Sequence, residues 1–141
     1  MKKIVWYVIA ILVATFLVMQ FFQPERPAVE ATDAHLFRQV QVPENIQTML
    51  KTSCLDCHSD QTRYLWYHYI MPVGWMVNNH IEDGKADLNL SEWGDMELLD
   101  RVTALDKMCE EVEQGHMPLK SYLLMHRDAE LSEEQKTQLC N

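Results

Sequence analysis

Residues 54 to 58 read Cys54-Leu55-Asp56-Cys57-His58, and no other feature narrows what the chain can build so far. Two thiols three residues apart, with a histidine directly after the second, suit covalent attachment of a haem. The sulfurs add across the two vinyl groups and the imidazole reaches the iron from one face. With four Cys and six His among 141 residues, roughly 0.005 accidental matches are expected. Three rival readings are weaker. A thioredoxin-like redox pair needs the motif at a helix start after a buried strand, and Ile46 to Ser53 carries no strand pattern. A closed zinc site needs a second ligand pair at short spacing, whereas Cys109 and Cys140 lie far apart in sequence. A disulfide between Cys54 and Cys57 requires that haem never reaches them.

The compartment follows from the N-terminus. Lys2-Lys3 precede an apolar run from Ile4 to Phe22, broken only by Thr15 and Gln20. As a helix it is about 28 Å long, close to the hydrocarbon thickness of a bilayer. Lysines before the run and none just after it put the N-terminus in the cytoplasm and the rest across the membrane. The motif then lies where thiols meet an oxidising environment. A cleaved signal segment is the competing reading. The run exceeds the usual apolar core of such a segment, and the cleavage candidate Val29-Glu30-Ala31 lies several residues too far along. Residues 1–23 are therefore read as an inner-membrane anchor, 24–43 as a linker opened by Gln23-Pro24-Glu25-Arg26-Pro27, and 44–141 as a periplasmic domain.

Beyond Lys2 and Lys3 the chain has ten basic against 21 acidic residues. Nucleic acid is excluded as a partner, because phosphate contacts need basic residues. Acidic residues gather between Asp95 and Glu113, either as a solvated helix face or as a docking patch for a basic redox protein.

No alternating Val/Ile/Thr run marks a strand after the anchor. Helix patterns recur instead. Ile46, Met49 and Leu50 share a face of Pro43–Thr52. Leu98, Val102, Leu105, Cys109 and Val112 do the same from Glu97 to Gln114, and Gly115 stops that helix. Ser132-Glu133-Glu134-Gln135 has the form of a capping box. The expected fold is all-α, three to five short helices around one bulky apolar cofactor.

An iron held by His58 has a second axial position. Met117, in Gly115-His116-Met117-Pro118, stands on a loop between a helix-ending glycine and a proline. His80 is the leading rival, followed by His116 and His68; His35 and His126 carry no signal. The other ring nitrogen of His58 needs an acceptor, for which the carbonyl of Pro72 is the candidate. Tyr64, Trp66, Tyr67, Tyr69 and Trp75 are expected to line the haem crevice.

These residues resemble a known family. The segment from Cys54 through Ser59-Asp60-Gln61-Thr62, then Trp66-Tyr67, Pro72-Val73-Gly74-Trp75, His80-Ile81-Glu82-Asp83-Gly84-Lys85, Leu88-Asn89 and Ser91-Glu92-Trp93, is similar to the haem-binding domain family of exported c-type cytochromes. Gly115-His116-Met117-Pro118, Tyr122 and Leu131-Ser132-Glu133-Glu134 continue the likeness. It implies a cytochrome c-like helical fold, one covalent haem c and an iron ligand at Met117. Leu65 departs from the pattern, where a proline is usual, and the last helix is short. Cys109 and Cys140, late in two expected helices, offer a disulfide that would tie it down.

The function expected is single-electron transfer by a membrane-anchored monohaem cytochrome with redox proteins as partners, rather than catalysis. An open iron face would instead suit a small-ligand sensor or a peroxidase-like enzyme, and a haem-carrying subunit of a larger membrane complex is a further alternative. No nucleophile–base pair is present to suggest hydrolysis.

Overall fold

The computed structural model describes residues 2–27 and 29–141. Helix α1 runs Lys2–Met19 with no buried residue, and after its two leading lysines it is apolar; by length and composition its 18 residues could cross a membrane. It ends three residues before the apolar run does. The next three amides, of Gln20, Phe21 and Phe22, bond to the carbonyls three residues back. That tighter turn closes the helix and releases the chain.

The compact part is entirely helical among the described residues. Its elements are α2 (Leu36–Gln39), α3 (Glu44–Ser53), α4 (Leu55–His58), α5 (Val73–Asp87), α6 (Leu98–Glu113), α7 (Lys120–Leu123) and α8 (Glu133–Cys140). Packing begins ahead of Pro43. His35 caps α2 by accepting from the Phe37 amide at 3.2 Å, and Leu36 donates its amide to the Leu90 carbonyl at 2.9 Å. Leu36 thereby joins Leu50, Leu55, Leu90 and Trp93 in the larger of two apolar clusters. The smaller holds Met49, Val112 and Leu131, and Ile46 and Leu139 pack against both.

Two elements answer the sequence directly. Pro43 sits at the N-cap of α3, where its missing N–H costs nothing. Ser132 and Gln135 cap α8 reciprocally, as the capping-box pattern requires.

Two others do not. α5 is 15 residues long yet contains two glycines and the pair Asn78-Asn79, all weak helix formers. Its stability comes from packing, and Gly84 shows how. A Cβ there would lie 2.8 Å from the Cys57 carbonyl oxygen, so only glycine lets α5 press against α4. In α6 the expected inward face is turned outward. Leu98, Val102 and Leu105 are exposed, and of the five only Val112 is buried. Arg101 fixes the rotation by donating to the carbonyls of Met96 and Gly94, each at 2.9 Å. Ala104 and Met108 then face the Leu90–Trp93 cluster.

Candidate haem cleft

The cysteine motif occupies a break between two helices. Cys54 (φ −126°, ψ −46°) ends α3 and opens α4. The amides of Cys57 and His58 both donate to its carbonyl, at 3.1 and 2.9 Å. This single turn turns both sulfurs and the imidazole toward one cleft. Ser59, fully buried, locks the exit by donating Oγ to the Leu55 carbonyl at 2.7 Å.

His58 is oriented by the backbone at the end of α5. Its Nδ1 lies 3.1 Å from the Leu88 carbonyl. A carbonyl only accepts, so the hydrogen belongs on Nδ1 and Nε2 keeps its lone pair. The acceptor is therefore Leu88 and not Pro72. The Pro72 carbonyl is engaged at the start of α5, accepting from the amides of Trp75 and Met76 at 3.1 and 3.3 Å. Leu88 ends that same helix as its C-cap, and nothing in the composition of the segment marks its carbonyl as the one left facing His58.

Met117 reaches the cleft by a helix stop. Gly115 takes φ +71°, the left-handed conformation that glycine adopts without strain. His116 donates its amide to the Glu111 carbonyl at 2.9 Å, Gly115 to Val112 at 3.2 Å, and Met117 again to Glu111 at 3.1 Å. These bonds reverse the chain and set Met117 and Pro118 on the cleft wall.

The cleft has two connected lobes, with Ser53, Cys54, His58, Asp87, Met117 and Pro118 common to both. The first lobe is apolar, walled by Leu88, Leu90, Met108 and Val112. The second runs past Cys57, His80 and Tyr122. His80 is therefore at the cleft, as a rival to Met117 must be. His116 is exposed and faces Glu111 at 3.3 Å. His68 is buried elsewhere, its Nδ1 accepting from the Leu65 amide at 2.8 Å. Neither lines the cleft.

The thiols are not poised as nucleophiles. Burial, with the neighbouring Cys57, pushes Cys54 up to about 12, and burial, with Asp56, pushes Cys57 up to about 11. A thioredoxin-type site needs the opposite shift. The zinc reading fails on partners, since Cys109 and Cys140 are joined to each other with Cα atoms 5.5 Å apart.

Behind the motif lies a network that sequence reasoning missed. Asp56 is buried, and its carboxylate accepts from Arg63 Nε at 3.1 Å, Arg63 Nη2 at 2.9 Å and the Tyr122 hydroxyl at 2.8 Å. Burial alone would raise the Asp56 pKa; the hydrogen bonds from Arg63 and Tyr122 outweigh it and hold the carboxyl below its ordinary value. The same Tyr122 hydroxyl lies 3.1 Å from the Thr52 carbonyl, bringing the segment after Met117 against the helix that leads into Cys54. The clue was an acidic residue between the two cysteines.

Most of the aromatic cluster is displaced from its expected place. Tyr64, Trp66, Tyr69 and Trp75 line neither lobe of the cleft, whereas Tyr67 lines a smaller pocket beside it together with Cys57, His80 and Tyr122. Tyr67 bonds His126 at 2.6 Å, and Trp75 donates its indole N–H to the Phe22 carbonyl at 2.6 Å. The chain leaving α1 crosses this face and draws the rings to it.

A family model for haem-binding domains matches residues 14–141. The chain belongs to the haem-binding domain family. It matches no curated protein and no solved structure. In this haem-binding domain the residues present suit the group. Apolar walls would take a porphyrin, two thiols share the turn with an imidazole whose Nε2 is free, and a thioether stands on the same cleft.

Proposed function

We propose that this protein is a membrane-anchored monohaem c-type cytochrome that passes single electrons on the periplasmic face of the inner membrane. The observation that carries the reading is the convergence of Cys54, Cys57, His58 and Met117 on one cleft. Cys54 and Cys57 would hold the porphyrin by thioether bonds, and His58 and Met117 would hold its iron. When bound, the haem supplies a one-electron couple, and methionine ligation raises its potential relative to two histidines. The chain's own part is to orient His58 through Leu88, to hold the attachment turn through Asp56, and to keep water from the apolar lobe. With His58 and Met117 both engaged on the iron, the protein would act as a carrier and not as an enzyme. The acidic exposed side of α6 suits a redox partner with a basic surface, and a chain this acidic does not suit nucleic acid.

An intact-mass measurement on protein from cells competent in cytochrome maturation should show one covalent haem; an apo mass would sink the reading. Met117→Ala should abolish the sulfur-to-iron charge-transfer band of the oxidised protein. An unchanged spectrum would assign the second ligand to His80, which lines the same lobe.

A further inference from the structure

The longest uncharged stretch outside α1 runs from Tyr64 to Ile81, with no Asp, Glu, Lys or Arg in a chain that carries 21 acidic residues. His68, Met71 and Ile81 fold inward, but many of its large side chains do not. Leu65, Trp66, Tyr69, Ile70, Val73 and Met76 are all exposed, Trp66 by 67%. An apolar surface of this kind on a strongly acidic domain calls for a covering partner.

The position of α1 says which partner. Its 18 residues span about 27 Å, so its end lies near the surface of a bilayer. Gln20, one residue past that end, donates Nε2 to the Met71 carbonyl at 3.1 Å and accepts from the Met71 amide at 3.0 Å. Phe22 accepts from Trp75. Arg26 donates to the His68 carbonyl and places its guanidinium 4.5 Å from the Tyr69 ring centroid. Met71 is thus held at the depth of the helix end, with Tyr69, Ile70 and Val73 beside it in sequence. Tryptophan and tyrosine beside apolar side chains and a single arginine make the composition that settles at the lipid headgroup boundary.

We propose that this face, from Leu65 to Met76, rests in the lipid interface of the same membrane that α1 crosses. The inference rests on the membrane-spanning reading of α1. The haem domain would then sit on the bilayer in one orientation, with the start of α5 downward, and not swing on a free linker. Lipid contact would be apolar and aromatic, so it would persist at high salt, unlike attraction to anionic headgroups.

The test uses the full haem-loaded chain in phosphatidylcholine nanodiscs that contain a lipid with a diazirine near the headgroup. After irradiation, lipid adducts are located by mass spectrometry. Expected are adducts on α1 and on residues 65–76, unchanged in high salt, with none on Leu98, Leu99, Val102 and Leu105, which are equally exposed apolar residues on α6. The combined variant Trp66→Ser, Tyr69→Ser and Ile70→Ser should lose the adducts at 65–76 and keep those on α1. Adducts on α1 alone would overturn the docked face while leaving the span intact. Absence of adducts from α1 would overturn the span and the docked face together. Equal labelling of α6, or crosslinks from 65–76 to a second copy of the chain, would show general stickiness or self-association and overturn the proposal.

Discussion

His58 hangs from a wall secured at many points, whereas Met117 stands on a wall secured at few. On the His58 side, the ring is held by Leu88, its carbonyl accepts from Leu90 at 2.8 Å, and the turn before it is pinned through Asp56, Arg63, Ser59 and the close approach of Gly84. On the Met117 side, the loop depends on one glycine turn, on packing against Met49, Val112 and Leu131, and on the Cys109–Cys140 link between α6 and α8. The first wall spreads its stability over many weak contacts. The second concentrates it in one covalent bond.

The order of mutational costs should follow. Cys109→Ser combined with Cys140→Ser opens a loop of 31 residues' separation and should cost about 3–4 kcal/mol, read as a fall in the denaturant midpoint. Arg63→Ala leaves the buried Asp56 with only Tyr122 and the residue-63 amide, and should cost about 2–3 kcal/mol. If Arg63→Ala costs more than the disulfide does, the contrast between the walls is reversed. Gly84→Ala forces a Cβ toward the Cys57 carbonyl and should cost about 2 kcal/mol as an overpacking strain. Unlike the disulfide variant, it should also lower the yield of haem attachment.

The smallest effect concerns His35, on neither wall. Its Nε2 is buried without a hydrogen-bond partner. Burial first, then Arg38 and Lys51, keep its pKa below the ordinary 6.5. Stability from this group is therefore fully present above pH 6.5 and is lost as pH falls toward the folded-state value, because the unfolded chain takes up the proton first. His35→Asn should flatten that part of the stability–pH curve by under about 1 kcal/mol. Identical curves for the two proteins between pH 5 and 7 would remove His35 from the account.

The sequence was legible where chemistry is local. The Gly115 stop and the Ser132 cap each act through neighbours in the chain, and the structure places both as read; the five-residue motif likewise closes into one local turn. It was illegible where a distant partner decided the outcome. The rotation of α6 depends on Arg101 finding carbonyls at Gly94 and Met96, and periodicity alone rates leucines above an arginine. The acceptor for His58 depends on where α5 ends. The aromatic face depends on the chain beyond α1 returning to it.

The Cys109–Cys140 bond has a consequence for the timing of assembly. Synthesis proceeds from the N-terminus, so Cys54 and Cys57 are made before either of the other thiols, and Cys140 is made last of the four. The strap cannot close until the Cys54–His58 turn has already been made. During that interval no covalent bond ties α8 to α6, and the wall that bears Met117 is held by the packing of Met49, Val112 and Leu131.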